Sequence, residues 1–213
     1  ETGDHEGAEK ILSEVVRKGK YSDFRDPEDH VRLIQAQLGK GDTSQAEATI
    51  RDLERSMAGL DKTRSCSALS NVLVHVKKGD TERAGEAIKS LLAEEGASQG
   101  LSLKLKGELA RACFATQLED QGAAVVLDIM RNAPDQRTLA NAKSMLKDAD
   151  RVELGERLEG QINGEVKDLV SEGARKAQSG DFDGAVQFML AAVRRMPGNT
   201  HVLFNATLAL LKH

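Results

Sequence analysis

Tryptophan is absent, tyrosine occurs once and phenylalanine five times, so aromatic residues make up only 3% of the 213. A core without them must come from aliphatic side chains and alanine, which suits close-packed helices and argues against a β-sandwich. Proline occurs three times, and the long stretches of Ala, Leu, Glu, Lys and Arg between favour helix. Cys66 and Cys113 are the two cysteines, too few for a secreted disulfide scaffold. Both fall inside helical patterns and read as reduced thiols, hence a cytoplasmic chain. No apolar run is long enough to cross a membrane, and the N-terminus has no signal-peptide pattern.

Charge is equally uninformative as a field. Thirty basic and 34 acidic residues are well mixed, for a net charge of −4, which leaves no footprint for nucleic acid. Recognisable chemistry is missing too. His5, His30, His75, His201 and His213 are scattered, with no pair at helical ligand spacing, so no metal site is expected. Neither cysteine has a histidine and acid arrangement to activate it. Neither G-x-x-x-x-G-K-[ST] nor a strand-linked G-x-G-x-x-G occurs, so no cofactor is implied. The sequence predicts a chain that is not an enzyme.

What is present is a recurring corner. Gly3-Asp4 is followed by Ala8, Gly41-Asp42 by Ala46, Gly79-Asp80 by Ala84 and Gly180-Asp181 by Ala185. Leu118-Glu119 stands in the same place before Ala123. A glycine there can take the left-handed conformation that ends one helix, and the aspartate can accept from the N–H groups that open the next. The first three corners start at 3, 41 and 79, a step of 38; the next two start at 118 and 180. Such self-similarity marks an array of helix pairs.

Taken in order, residues 1–18 read as a half repeat, a second helix with Ala8, Ile11, Leu12 and Val15 inward and its first helix missing. The chain is therefore expected to begin inside a repeat of a longer protein. Residues 27–58, 64–96 and 101–133 read as degenerate repeats, with Asp42 and Gln45 forming a partial capping box. Residues 135–164 break the period and read as an irregular helical linker, a degenerate repeat being the alternative. A helix there is expected to run on into the next unit, with Gly160 and Gly164 as weak points. Residues 199–212 form one helix with Val202, Leu203, Ala206 and Leu210 on one face, a cap for the last repeat.

Residues 165–197 carry the fullest pattern. Gly173 and Ala185 are small where two antiparallel helices must cross closely, and Phe182, Ala185, Val186, Met189, Ala192, Val193 and Met196 form one apolar stripe. Pro197 ends the second helix. This stretch resembles the tetratricopeptide repeat of about 34 residues. Leu169 stands at its tryptophan position, Gly173 at the glycine, Ala185 at the alanine, Met189 at the phenylalanine and Pro197 at the proline, while Glu172 and Lys176 depart from its leucine and tyrosine. The resemblance implies an all-α fold, a right-handed superhelical solenoid of helix pairs closed by a C-terminal capping helix. The segment from Val166 to Leu211 is also similar to the end of bacterial response regulators in which tetratricopeptide repeats follow a phosphorylated receiver domain. By that resemblance the chain is the output region of a two-component regulator; nothing in it resembles the receiver.

The tetratricopeptide pattern implies a partner groove lined by the first helix of each pair. Its positions include Glu28, Arg32 and Gln35, then Leu69, Leu73 and Lys77, then Glu108 and Ala112, Lys167 and Ser171, and His201 and Asn205. Asn205 alone matches the carboxylate clamp of some family members; Val170 and Ala174 replace its neighbours. The mixture suits a helix or extended peptide with an apolar core and polar edge. The expected role is binding a protein or peptide, with no nucleic acid or membrane. The alternative is a structural scaffold that self-assembles, for instance as a homodimer.

Overall fold

Five corners share one backbone design. The residue at each adopts positive φ: Gly41 (84°), Gly79 (73°), Gln117 (61°), Asp150 (55°) and Gly180 (81°). The next residue's N–H donates to a carbonyl five positions back: Asp42 to Gln37 and Asp80 to His75 at 3.0 Å, Leu118 to Cys113 at 2.8 Å, Arg151 to Leu146 at 2.7 Å, and Asp181 to Lys176 at 3.0 Å. This bond closes a left-handed helix terminus. The same residue's carbonyl accepts the first bond of the following helix, from Ala46, Ala84, Gly122, Gly155 and Ala185 in turn. Asp4, Asp42, Asp80 and Asp181 also accept through their carboxylates from the N–H three residues on, at 2.8, 2.9, 3.2 and 2.9 Å.

Two sequence expectations are corrected here. The fourth corner is Gln117-Leu118, one residue before Leu118-Glu119, so corners fall at 41, 79 and 117 with the 38-residue step unbroken. The small residue five beyond it is Gly122, where a Cβ would lie 2.5 Å from the Phe114 ring. And residues 135–164 are not an irregular linker: they hold the same corner at Asp150-Arg151. A non-glycine corner hid both, because the hydrogen-bond pattern tolerates Gln and Asp in a conformation that glycine adopts most cheaply.

The computed structural model of the chain describes residues 3–19, 25–94 and 98–212. The start of the predicted half repeat and part of the loop joining it to the next unit lie outside these. The described residues form eleven α-helices and no strand. Two compact units divide the chain, Glu1–Gly122 and Ala123–His213.

In the first unit lie α1 (His5–Gly19), α2 (Pro27–Gly39), α3 (Thr43–Ser56), α4 (Asp61–Lys78), α5 (Thr81–Ala93) and α6 (Leu103–Ala115). Each of the pairs α1–α2, α2–α3, α3–α4, α4–α5 and α5–α6 packs together, and α2, α4 and α6 also pack on one another in order. Ile34, Leu38, Ala46, Ile50 and Val74 form one core cluster. An ion pair repeats with the period: Lys40 meets Glu9 at 2.5 Å, and Lys78 meets Glu47. On α1 the buried residue is Val16; Ile11 and Val15, expected inward, are 66% and 39% exposed. The contact face follows the four-residue row Ala8, Leu12, Val16, about 100° per residue away from Ile11 and Val15.

Helix α7 (Glu119–Arg131) starts at the fourth corner and leads into the second unit, with α8 (Gln136–Asp148), α9 (Val152–Gln178), α10 (Phe182–Arg195) and α11 (Thr200–Lys212). α9 runs unbroken through Gly160 and Gly164, so it ends one helix pair and begins the next. It packs on α8 and α10, and α11 packs on both α10 and α9. At the α9–α10 crossing a Cβ on Gly173 would lie 3.3 Å from the Ala185 carbonyl oxygen and 3.0 Å from Met189 Cε. Met189, Ala206 and Ala209 form the core there, with Val170, Val186 and Val193 against it.

Candidate functional site

The corrected fourth corner shifts the register of α6 by one residue, and with it that part of the candidate surface. Gln35, Leu73 and Arg111 each stand six residues before their corners at 41, 79 and 117. In the first unit Gln35 is half-buried, while Arg32, Lys77 and Arg111 are exposed. Leu73 is partly buried against the core cluster of Ile34 and Ile50. Leu69, expected in the groove, is wholly buried and belongs to the packing. Ala112 is buried as well, at 3%. Both lie on helices packed on several neighbours, α4 on α2, α3, α5 and α6 and α6 on α4 and α5.

Glu108 is half-buried and accepts from Arg111 Nη1 at 2.7 Å, so the pair presents Arg111 outward. Arg111 went unnamed at the sequence level because the fourth corner was placed one residue late; the small residue at Gly122 was the available signal. Arg32 donates to Asp29 at 2.9 Å and lies 3.8 Å from Glu28. Glu28 is 5% exposed and stands 3.5 Å from Lys62, so its charge is balanced across α2 and α4.

In the second unit Lys167 and Ser171 are exposed on α9, His201 is exposed on α11 and Asn205 is half-buried. A hollow of about 380 Å³ lined by Glu165, Asp168, Leu169, Glu172, Phe188 and Arg195 opens between α9 and α10. Arg131 holds Glu165 through its Nε at 3.2 Å, and Arg195 stands 3.6 Å away, so the carboxyl sits below its ordinary value.

Burial pushes both the Cys66 and the Cys113 thiol up to about 12, the reverse of what a nucleophilic thiolate needs. Among the described residues no group of three His, Cys, Asp or Glu is placed to hold a metal ion, and no helix is long and apolar enough to cross a membrane. His213 lies outside the described residues.

The outer face of α11 departs most from expectation. Val202, Ala206 and Ala209 are buried, whereas Leu203 and Leu210, two of the four residues predicted to face inward, are 41% and 52% exposed. Phe204, Leu208 and Leu211 are exposed beside them. Compared with known proteins, the chain matches no family model and no curated sequence.

Proposed function

We propose that this chain is a protein-binding module of the tetratricopeptide type, a right-handed superhelical solenoid that takes a helix or extended peptide along the first helices of its pairs. One observation carries the reading. α2, α4 and α6 pack on one another at a constant 38-residue step, so Gln35, Leu73 and Arg111 recur at one register. Repeat modules recognise partners along such rows. The side chains there are the half-buried Gln35, the partly buried Leu73 and the exposed Arg111, with the exposed cations Lys77 one turn from Leu73 and Lys104 two turns from Arg111 on the same helix faces, which favours a partner with carboxylates beside an apolar anchor. The reading needs no cofactor or catalytic group and is set in the cytoplasm.

Leu73 is a poor probe because it packs against the core. Lys77→Glu with Arg111→Glu reverses two exposed charges without touching the interior. Affinity capture with the wild type and this double variant, compared by quantitative mass spectrometry, tests the reading. Specific proteins lost from the variant, with helix content unchanged, support it; identical capture refutes it.

The narrower proposal is the output region of a response regulator. It rests on the row Leu169, Gly173, Ala185, Met189 and Pro197 and the segment that follows. Sequencing the native polypeptide upstream of Glu1 tests it. An α/β pattern with clustered aspartates supports it, and further helix pairs of the same period count against it.

A further inference from the structure

The 38-residue step gives each position of the first unit its equivalents in the neighbouring pairs. Three positions where α3 meets α4 depart from theirs together. Glu54 is exposed, and Ala68 and Asn71 are half-buried. One step earlier stand Val16, His30 and Leu33, all buried. One step later stand Leu92, half-buried, with Lys106 and Leu109, both buried. Large side chains thus fill the place where α1 meets α2 and where α5 meets α6. Between α3 and α4 a carboxylate, a methyl group and an amide stand instead, and a hollow of about 470 Å³ is left.

The lining is rich in acceptors. Thr63 Oγ1 donates its hydrogen to the Met57 carbonyl at 2.6 Å, and Ser67 Oγ donates its own to Glu54 Oε1 at 2.5 Å. Asn71 Nδ2 donates to the Ser67 carbonyl at 3.1 Å. What remains is mostly lone pairs: those of the two hydroxyls, the Asn71 amide oxygen and the second Glu54 oxygen. Arg64, the cation of the lining, is held by Glu94 at 2.6 Å, whereas among the described residues Glu54 is paired with no cation. An anion would meet like charge here. A ligand with one positive charge and several donors finds an acceptor for each. Leu60 and Ala68 add an apolar wall for a carbon stem. A guanidinium matches this set: it is planar, carries only donors, and takes a carboxylate through two parallel bonds.

We propose that this hollow seats an arginine side chain of a partner protein, with the guanidinium on Glu54 and the carbon stem along Leu60 and Ala68. Ala68 and Lys77 are nine residues apart on α4, which places them about 180° apart around the helix. The hollow therefore opens away from the row that carries Lys77 and has the opposite charge preference. Arginine binding here does not depend on binding along α2, α4 and α6.

Titration of the full chain with Nα-acetyl-arginine methylamide, followed by proton–nitrogen correlation NMR, tests the proposal. Saturable shifts are expected at millimolar ligand, largest between Gly59 and Asn71 and including the Asn71 side-chain amide. The citrulline analogue keeps the shape and loses the charge, and is expected to bind at least about tenfold more weakly. Glu54→Gln is expected to weaken the arginine probe by a similar factor. Asn71→Leu copies Leu33 and Leu109 and is expected to close the hollow and abolish binding. Unchanged spectra away from the hollow show that both variants fold. No saturable shift up to about 50 mM probe overturns the proposal. So does a citrulline analogue that binds as well, or binding that Glu54→Gln leaves unchanged or that persists in Asn71→Leu. Butylguanidine, the side chain without its peptide groups, is expected to bind no more tightly than the capped residue. Binding at least about tenfold tighter would give the hollow to a small free guanidine and overturn the assignment to a partner protein.

Discussion

The two units use one corner to different ends. In the first, corners recur at 41, 79 and 117, and eight large apolar side chains, from Ile34 to Leu109, are wholly buried. In the second, corners fall at 150 and 180, and Met130, Leu146 and Ile162 are the equivalents. Exposure runs the other way: Ile11 and Val15 against Val152, Leu190 and the five apolar residues of α11. The shorter spacing of the second unit removes the loop between pairs, so α9 spans 27 residues, about 40 Å, and serves both. A constant period buries a deeper core. The compressed one relies on a close helix crossing and an ion-pair clamp, and leaves apolar surface outside.

The largest effects should come from the cores. Leu53→Ala in the first unit is expected to cost about 3 kcal/mol and Met189→Ala in the second about 2 kcal/mol, measured by urea unfolding. Both cysteines lie in the first unit, so alkylation of Cys66 and Cys113 reads its opening alone. Labelling is slow in the native protein and accelerates in Leu53→Ala. If Met189→Ala accelerates it as much, the units open together and the comparison fails.

Glycines of α9 sharpen it next. Gly173→Val pushes a branched side chain toward the Ala185 carbonyl oxygen at 3.3 Å and is expected to cost about 1–3 kcal/mol. Gly164 sits in the same helix with nothing within 4 Å of its missing Cβ, so Gly164→Ala should stabilise by about 0.5–1 kcal/mol. Opposite signs in one helix separate the glycine that the crossing requires from one that it does not.

Helix content was legible because alanine-rich amphipathic stripes and Gly-Asp corners act locally. Gly41, Gly79 and Gly180 take the left-handed conformation, and Asp42, Asp80 and Asp181 cap the helices that follow. The corners at Gln117 and Asp150 were not, since neither carries the Gly-Asp pair of the other three, and the backbone bonds place them. The surface was harder still. Whether Leu69 lines a groove or fills a core depends on how closely α2, α4 and α6 approach, and no single helix encodes that distance. On α11, Leu203 and Val202 are adjacent and equally apolar; burial separates them, 41% against 3% exposed, and hydrophobicity does not.

Those unusual corners supply a smaller effect. Gln117→Gly relieves a side chain held at positive φ and is expected to stabilise the first unit by about 0.5–1 kcal/mol, after glycine's extra entropy in the unfolded chain is deducted. Gly79→Ala should destabilise it by about 1 kcal/mol. Thermal unfolding compares the two. A destabilising Gln117→Gly would mean that the glutamine side chain holds the turn, and that the corners are not equivalent.

The smallest effect belongs to the clamp of the second unit. Glu165 on α9 accepts from Arg131 on α7, while Arg195 on α10 stands 3.6 Å from it and donates to the Arg131 carbonyl at 3.2 Å. The Arg131 hydrogen bond holds the Glu165 carboxyl below its ordinary value. A carboxyl depressed in the folded state stabilises fully above its unfolded value of about 4.3, and that contribution fades as pH falls through the lower folded value. Glu165→Gln is therefore expected to lower stability at pH 7, by less than about 1 kcal/mol for a pair this close to solvent. The gap between wild type and variant should close below about pH 4. Urea unfolding at both pH values checks it. A gap independent of pH would mean that the glutamate contributes through packing, and that the compressed unit is held by its helix crossing without help from charge.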